Sequence, residues 1–296
     1  LVNNQVLIQS FLDYCQLKKH FATHTLVNYE RDIMRLESYV ENQKIDFFSV
    51  DKQVCRDFIV FESDDNQANK TLCRRISAYR TFWDFLQLQK CVSNNPWRQI
   101  RLPKVSYVLP KIIPTKRMIS FLDNISIDSP IGLRNRTICE CLYGIGLRVS
   151  ELVSLRLDQI NFLSGECRVI GKRNKERVAI IGDVTKQILN SYVDTVRVLW
   201  KKSDSKTLII NKNGQPISVR TIQRIVKQCS IQQGINPPLT PHILRHCYAS
   251  DLYKGGADIS IIKELLGHEH VATTEIYTHV AMDELKETIT LAHPLG

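Results

Sequence analysis

Apolar residues recur at helical spacing through the amino-terminal part of the chain: Val6, Ile8, Phe11 and Leu12, then Tyr29, Ile33, Leu36 and Tyr39, then Ile76, Tyr79, Phe82, Trp83 and Leu86. This periodicity predicts four or five short helices, each with one buried face. Residues 94–118, NNPWRQIRLPKVSYVLPKIIPTKRM, then hold four of the chain's ten prolines, which interrupts the helical pattern and predicts a linker. The chain is therefore expected to divide into a helical domain over 1–95, a Pro-rich linker over 96–115 and a second domain over 116–296. Within the second domain, Val149, Leu152, Val153 and Leu155 form a helical stripe, and the period changes to alternation in ECRVIGKRNKERVAIIG, residues 166–182. Val169, Val178 and Ile180 read as strand residues of a hairpin whose polar turn runs from Gly171 to Glu176. The expected fold class is mainly α with a small antiparallel β-sheet, in two domains.

The clearest local reading lies in TPHILRH, residues 240–246. Thr240 is a good N-cap, Pro241 fits the first helical position, and Leu239 can staple to Leu244. A helix starting there carries Leu244, Tyr248 and Leu252 as its buried stripe and stops at Gly255-Gly256. Asp258 caps a following helix with Ile262, Leu265 and Leu266 facing the core, and Gly267 ends it next to His268. Beyond Tyr277 and His279, the residues Met282, Leu285 and Ile289 make one more helical stripe.

These elements place cations where anions are welcome. His242 and Arg245 are three apart and share a face in an opening helical turn, where unpaired backbone N–H groups and the helix dipole favour a phosphate. Upstream, Gly144 and Gly146 interrupt an apolar helix, leaving Arg148 in the first turn of the next one and Glu151 where a carboxylate suits the dipole. The hairpin turn carries Lys172, Arg173 and Lys175. Each residue taken singly also has an ordinary structural reading: a helix-end His as hydrogen-bonder, a Tyr as core, a basic loop as solvated surface.

Composition narrows the chemistry. The 296 residues are enough for one or two cores, and a net charge of +10 favours a polyanionic partner. Nine cysteines, odd in number and without a C-x-x-C pair, indicate neither a disulfide framework nor a zinc ribbon, so a reducing, cytoplasmic setting is expected. No apolar run approaches a membrane span, and the opening segment lacks the basic region of a signal peptide. His242 and His246 are four apart, yet the hydrolytic zinc pattern needs Glu after the first His and Ile243 stands there. Neither a P-loop nor an acidic cluster of two-metal type is present in the sequence.

The ordered set Arg148, Lys172, His242, Arg245, His268 and Tyr277 resembles the catalytic set of the tyrosine recombinases, the phage integrase family. Within that family the chain most resembles the bacterial Xer recombinases of XerC/XerD type, in GLRVSEL, GKRNKER, TPHILRH and LLGHEHVATTEIYTHV, and also in THTLVNYERDIMRL and RRISAYRTFWDFL of the amino-terminal half. Glu275 stands where many relatives have Gln, and Arg173 where Gly is common.

The resemblance implies an all-helical SAM-like core-binding domain and an α+β catalytic domain that clamp DNA from opposite faces. It implies Tyr277 as nucleophile, Arg148 and Arg245 on the phosphate oxygens, Lys172 as general acid with Lys175 as the alternative, and His242 or His268 as proton acceptor or as a holder of a phosphate oxygen. No metal or nucleotide cofactor is implied. Thr25, Arg31, Arg74, Arg75, Arg80, Arg173 and Lys175 are the candidate DNA contacts. Expected partners are a double-stranded recombination site, a homo- or hetero-tetramer docked through the carboxy-terminal segment, and an FtsK-type DNA translocase. An integrase of a mobile element, a type IB-like topoisomerase and a catalytically idle DNA-binding regulator are the competing readings.

Overall fold

A computed structural model describes residues 4–64, 69–103, 113–171, 176–201, 205–267 and 279–296. They form two compact units, 1–108 and 109–296.

The first unit is helical: α1 (Asn4–Leu17), α2 (Thr23–Asn42), α3 (Lys52–Asp64) and α4 (Asn69–Leu88), with 3-10 turns at Phe47–Ser49 and Pro96–Gln99. Four α-helices agree with the apolar periodicity, although α2 and α4 reach 20 residues each and are not short. Ile8, Phe11, Leu12 and Cys15 form the buried face of α1, whereas Val6 is exposed at the helix start. The core is aromatic: Phe11, Phe58, Tyr79, Phe82, Trp83 and Trp97 are fully buried, with the Tyr79 and Trp97 rings 4.6 Å apart. Trp97 shifts the expected boundary. Asn95 caps its turn by accepting from the Trp97 N–H at 3.1 Å, and Trp97 and Ile100 complete the first unit's core, so residues from 96 onward still belong to that unit. Prolines marked the end of regular helix, but burial of one large indole outweighs them in deciding where the unit ends. Residues 104–112 of the expected linker lie outside the described residues.

The second unit opens with α5 (Thr115–Asp123) and α6 (Pro130–Tyr143), then α7 (Val149–Ser154). Ser129 caps α6 by accepting from the Gly132 N–H at 3.1 Å, with Pro130 at the first helical position. A three-stranded antiparallel sheet follows in the order β1 (Ile160–Asn161), β2 (Glu166–Ile170), β3 (Glu176–Ile180). The hairpin lies where the alternation puts it, and the two-residue β1 is an addition too short for periodicity to reveal. α8 (Asp183–Ser191) runs through a π-helical turn into α9 (Val198–Trp200), and α10 (Val219–Gln232) precedes α11 (Pro241–Lys254) and α12 (Ile259–Leu266). Thr240 caps α11 and Asp258 caps α12, with Gly255 and Gly267 at their ends, as the local sequence indicated.

The last helix, α13 (His279–Ala292), packs on the unit that carries it: Leu285, Ile289 and Leu295 are buried in the same core as Leu244 and Tyr248. The side chain of Met282, the third member of the expected stripe, lies outside the described residues. In this single chain Leu285 and Ile289, the described members of the stripe expected to dock on a neighbouring protomer, are thus covered from within. Just beyond α13, the His293 ring sits 4.9 Å from Tyr143 and 5.0 Å from Tyr248, and its Nδ1 accepts from the Leu295 N–H at 3.2 Å.

Burial lowers the pKa of His293 to about 4, against a smaller opposing pull from Asp251. Between that value and the ordinary value of about 6.5, the unfolded chain binds a proton that the folded chain refuses. This contribution to stability is complete above pH 6.5 and declines on acidification, by about 3 kcal/mol near pH 4. Urea unfolding from pH 7 to pH 4 should therefore lose stability more steeply in the parent protein than in His293→Phe; parallel declines would remove the imidazole as the cause.

Candidate active site

The site begins where α6 ends. Gly146 turns the chain with φ at +67°, and a Cβ there would lie 2.4 Å from Tyr248 Cδ1, so glycine is required both for the turn and for the approach to the buried ring. Two residues later Arg148 is the N-cap of α7, one position ahead of the first turn in which the sequence placed it. Its N–H donates to Glu151 Oε2 at 2.7 Å, and its Nη1 donates to Glu151 Oε1 at 2.6 Å. Glu151 is 3 % exposed and occupies the third position of α7, where a carboxylate also satisfies the helix start.

Two more guanidinium groups reach Glu151. Arg177, from β3, donates Nη2 to Glu151 Oε2 at 2.9 Å, and Arg245, from α11, holds Nη1 at 3.6 Å from the same oxygen. Arg245 also donates to the carbonyl of Gly146 and, at 2.5 Å, to that of Leu266. The three cations are further tied to successive carbonyls at the end of α12: Leu265 accepts from Arg177 at 2.7 Å, Leu266 from Arg245, and Gly267 from Arg148 at 3.1 Å. Helix-end carbonyls lack intrahelical partners and carry the negative end of the dipole, so they are natural seats for cations. Gly267 makes the geometry possible by ending α12 in the left-handed conformation, φ +63°.

Charge within the cluster is unbalanced in favour of an anion. Burial would push the Glu151 carboxyl up, but the Arg177 charge and the bonds from Arg148 outweigh it and hold the group below the ordinary carboxylate range. Burial, reinforced by the neighbouring Arg148 charge, brings Arg245 down to about 10, still protonated at neutral pH. Three cations against one carboxylate leave an excess of positive charge. Arg148 is the member able to present it: its side chain is 35 % exposed, against 10 % for Arg245 and 7 % for Arg177.

His242, on the opening turn of α11, is exposed. Arg148 and Arg245, 97 positions apart in sequence, therefore converge on one carboxylate, with His242 one helical turn from Arg245. Lys172, Arg173, Lys175, His268 and Tyr277 lie outside the described residues. Among the described residues, no group of three or more His, Cys, Asp or Glu side chains is placed to hold a metal ion. Nor is any helix there long and apolar enough to cross a membrane.

Neither the motifs nor the alternation in residues 166–182 marks Arg177 as a partner of this cluster. Register gives the missing signal: Arg177 pairs with Val169 and shares the inward face with Ala179 and Cys167. A charged residue at an inward position of a strand calls for an internal partner.

In the first unit, Thr25 is half-buried and Arg31 exposed on α2. Arg74 pairs with the buried Asp32, donating Nη2 to Oδ1 at 2.9 Å, while Arg75 lies 3.5 Å from Asp32 and pairs with the buried Glu62. Arg80 donates to the carbonyls of Trp97 at 3.0 Å and Ile100 at 2.6 Å, fastening α4 to the segment that completes the unit. Arg75 and Arg80 are thus engaged within the unit, leaving Arg31 and the partly exposed Arg74 as the more open cations of this set.

Both units match known families. Residues 113–284 match the phage integrase family, and residues 8–90 match the phage integrase N-terminal SAM-like domain. The chain belongs to the phage integrase family, the tyrosine recombinases. It is 34 % identical over 290 residues to a protein named tyrosine recombinase XerD from Staphylococcus epidermidis, covering 97 % of this chain and 98 % of the relative. To the protein of the same name from Staphylococcus aureus it is 32 % identical over 292 residues, 98 % and 99 % of the two chains. The fold is shared with the Tn1549 transposon integrase solved with circular intermediate DNA, at TM-score 0.71 and 15 % identity over 94 % of this chain and 99 % of that one. It is likewise shared with the XerH site-specific recombinase bound to a palindromic difH substrate, at TM-score 0.70 and 19 % identity over 96 % and 84 %.

Removing the central carboxylate should be costly, because it strands buried cations that have lost their counter-charge. Glu151→Ala is expected to reduce unfolding free energy by about 3 kcal/mol or more. Urea denaturation measures this, and an unchanged midpoint would show that the guanidinium groups are balanced elsewhere.

Proposed function

We propose that the protein is a site-specific recombinase that cuts and rejoins duplex DNA through a 3′-phosphotyrosine intermediate formed on Tyr277. The observation that carries this reading is the convergence of Arg148 and Arg245 around Glu151, in a cluster with excess positive charge, inside a chain of the tyrosine recombinase family. Attack on a phosphodiester builds extra negative charge on the phosphorus oxygens, and fixed cations in a partly dry site are an effective way to stabilise it. Two guanidinium groups can bind both non-bridging oxygens. The Tyr277 oxygen forms a bond to phosphorus as the bond from phosphorus to the 5′ oxygen breaks. A phenol ordinarily titrates near 10, so its proton leaves during attack, to His242 or His268. Lys172 supplies a proton to the departing 5′ oxygen, with Lys175 as the alternative on the same turn. The ester stores the bond energy, and rejoining is the reverse step by an incoming 5′-hydroxyl, without metal or ATP.

The duplex partner is supported by the net charge of +10 and by the DNA-bound relatives of the same fold. In this reading the SAM-like unit grips the site through Thr25, Arg31 and Arg74, with Arg75 and Arg80 bracing the helices that present them, and Arg173 and Lys175 on the hairpin of the second unit are further candidate contacts. Four protomers assemble on two sites, alone or with a paralogous partner, under an FtsK-type translocase. The relatives named XerD support resolution of chromosome or plasmid dimers at cell division, in the cytoplasm. Protomer exchange through the carboxy-terminal segment then requires α13 to leave the core in which Leu285 and Ile289 are buried.

A nicked suicide duplex bearing a binding site selected from a random library tests the chemistry. Wild-type protein should become covalently trapped on it, with the adduct mapped to Tyr277 by mass spectrometry, and Tyr277→Phe should bind the duplex without trapping. Equal trapping by the Phe variant would refute the nucleophile assignment, and failure of the wild type to trap would favour an idle DNA-binding protein.

A further inference from the structure

We infer that Arg177 is a positioning residue for strand cleavage, setting Arg148 and Arg245 through Glu151 and the end of α12 without touching DNA itself. The inference rests on the cleavage reading above. It starts from access: the Arg177 side chain is 7 % exposed, so a duplex at the surface meets Arg148 and not Arg177. What Arg177 does touch is the shared support of the other two arginines.

Glu151 Oε1 is taken by Arg148 Nη1, whereas Oε2 takes the Arg148 N–H, Arg177 Nη2 and the longer approach of Arg245. Without Arg177, Oε2 keeps one short donor, and the carboxylate is free to swing toward Arg245, drawing that guanidinium off the Gly146 and Leu266 carbonyls. The second bond of Arg177 matters equally. Its Nη1 holds the Leu265 carbonyl, next to the Leu266 and Gly267 carbonyls that seat Arg245 and Arg148. Its aliphatic stem also walls the Gly267 turn, since a Cβ on Gly267 would come within 2.7 Å of Arg177 Cδ. One planar fork therefore fixes both the acidic hub and the helix end, a geometry that a lysine ammonium at the same position cannot span.

A purely structural cation would affect folding alone, and pH separates the two roles. Among the described residues, the charged or titratable groups around Glu151 are Arg148, Arg177 and Arg245, with Cys167 near Arg177 and Tyr248 near Arg245. Arg177 is the largest influence opposing the burial of Glu151. Its removal leaves a carboxyl that protonates more readily, and a protonated Glu151 no longer anchors Arg148 as an ion pair. The acid limb of the cleavage profile should then move to higher pH.

The test uses the full chain on the suicide duplex described above, with single-turnover trapping, duplex affinity and thermal melting measured from pH 5 to pH 8. Arg177→Met replaces the fork with an apolar chain of similar length. It is expected to melt cooperatively, to bind the duplex within about threefold of wild type, and to trap DNA about 100-fold more slowly, since small misplacements of catalytic groups cost on that order. Its acid limb should lie at higher pH than that of wild type, and Arg177→Lys should restore the limb while recovering only part of the rate. A Met variant that traps at the wild-type rate with an unmoved pH profile overturns the inference. Should the Met variant fail to fold, Arg177→Lys decides: at least about tenfold slower trapping at unchanged affinity supports positioning, and the wild-type rate overturns it. Wild-type protein that does not trap DNA defeats the cleavage reading and this inference together; wild-type trapping with an undisturbed Arg177 variant defeats this inference alone.

Discussion

Glu151 gathers guanidinium groups from three segments that the chain brings together only on folding: Arg148 ahead of α7, Arg177 on β3 and Arg245 on α11. Like charges in a partly dry site repel, so a cluster of this kind survives only with a counter-charge and with hydrogen-bond acceptors for the remaining donors. The carboxylate provides the first, and the carbonyls of Gly146, Leu265, Leu266 and Gly267 provide the second. The carboxylate cancels one of the three positive charges and the carbonyls carry no net charge, so the cluster stays cationic. The cluster is braced from within and keeps a net positive charge.

The same arrangement links distant parts of the second unit. Tyr248 packs against Gly146, whose carbonyl holds Arg245, and on another side against His293 beyond α13. A continuous path of contacts thus runs from the carboxy-terminal segment to Arg245. Asp251 anchors the neighbourhood, accepting from Tyr143 at 2.9 Å, from Thr115 at 2.7 Å and from Lys254 at 2.9 Å. In the first unit a comparable economy appears: the buried Asp32 and Glu62 engage Arg74 and Arg75, and Arg80 closes the segment around Trp97. Basic residues that look like surface contacts in a linear reading are in part the internal supports of the helices that would present them.

Local signals were legible wherever one residue's chemistry suffices. Thr240, Pro241, Asp258, Gly255 and Gly267 mark helix ends because capping and left-handed turns depend on immediate neighbours, and the structure has each of them in that role. The helical faces of the first unit and the β2–β3 hairpin follow from period 3.6 and period 2 in the same way. Less legible were the reach of the first unit past Pro96, which hangs on the burial of Trp97, and strand β1, which is two residues long. The seating of Leu285 and Ile289 in the unit's own core was also beyond periodicity, since a stripe states that a face will be covered and not by what.

The order Arg148, Arg245, Tyr277, with the motifs around them, pointed to the family from sequence alone, because motifs and their local frames are encoded in adjacent residues. The tertiary structure alone decided that Arg148 and Arg245 share one buried carboxylate, that Arg177 joins them from the sheet, and that the end of α12 receives all three. The reason is physical: electrostatic energy depends on distance and burial, and groups as far apart in sequence as Arg148 and Arg245 acquire both only when the core between them closes.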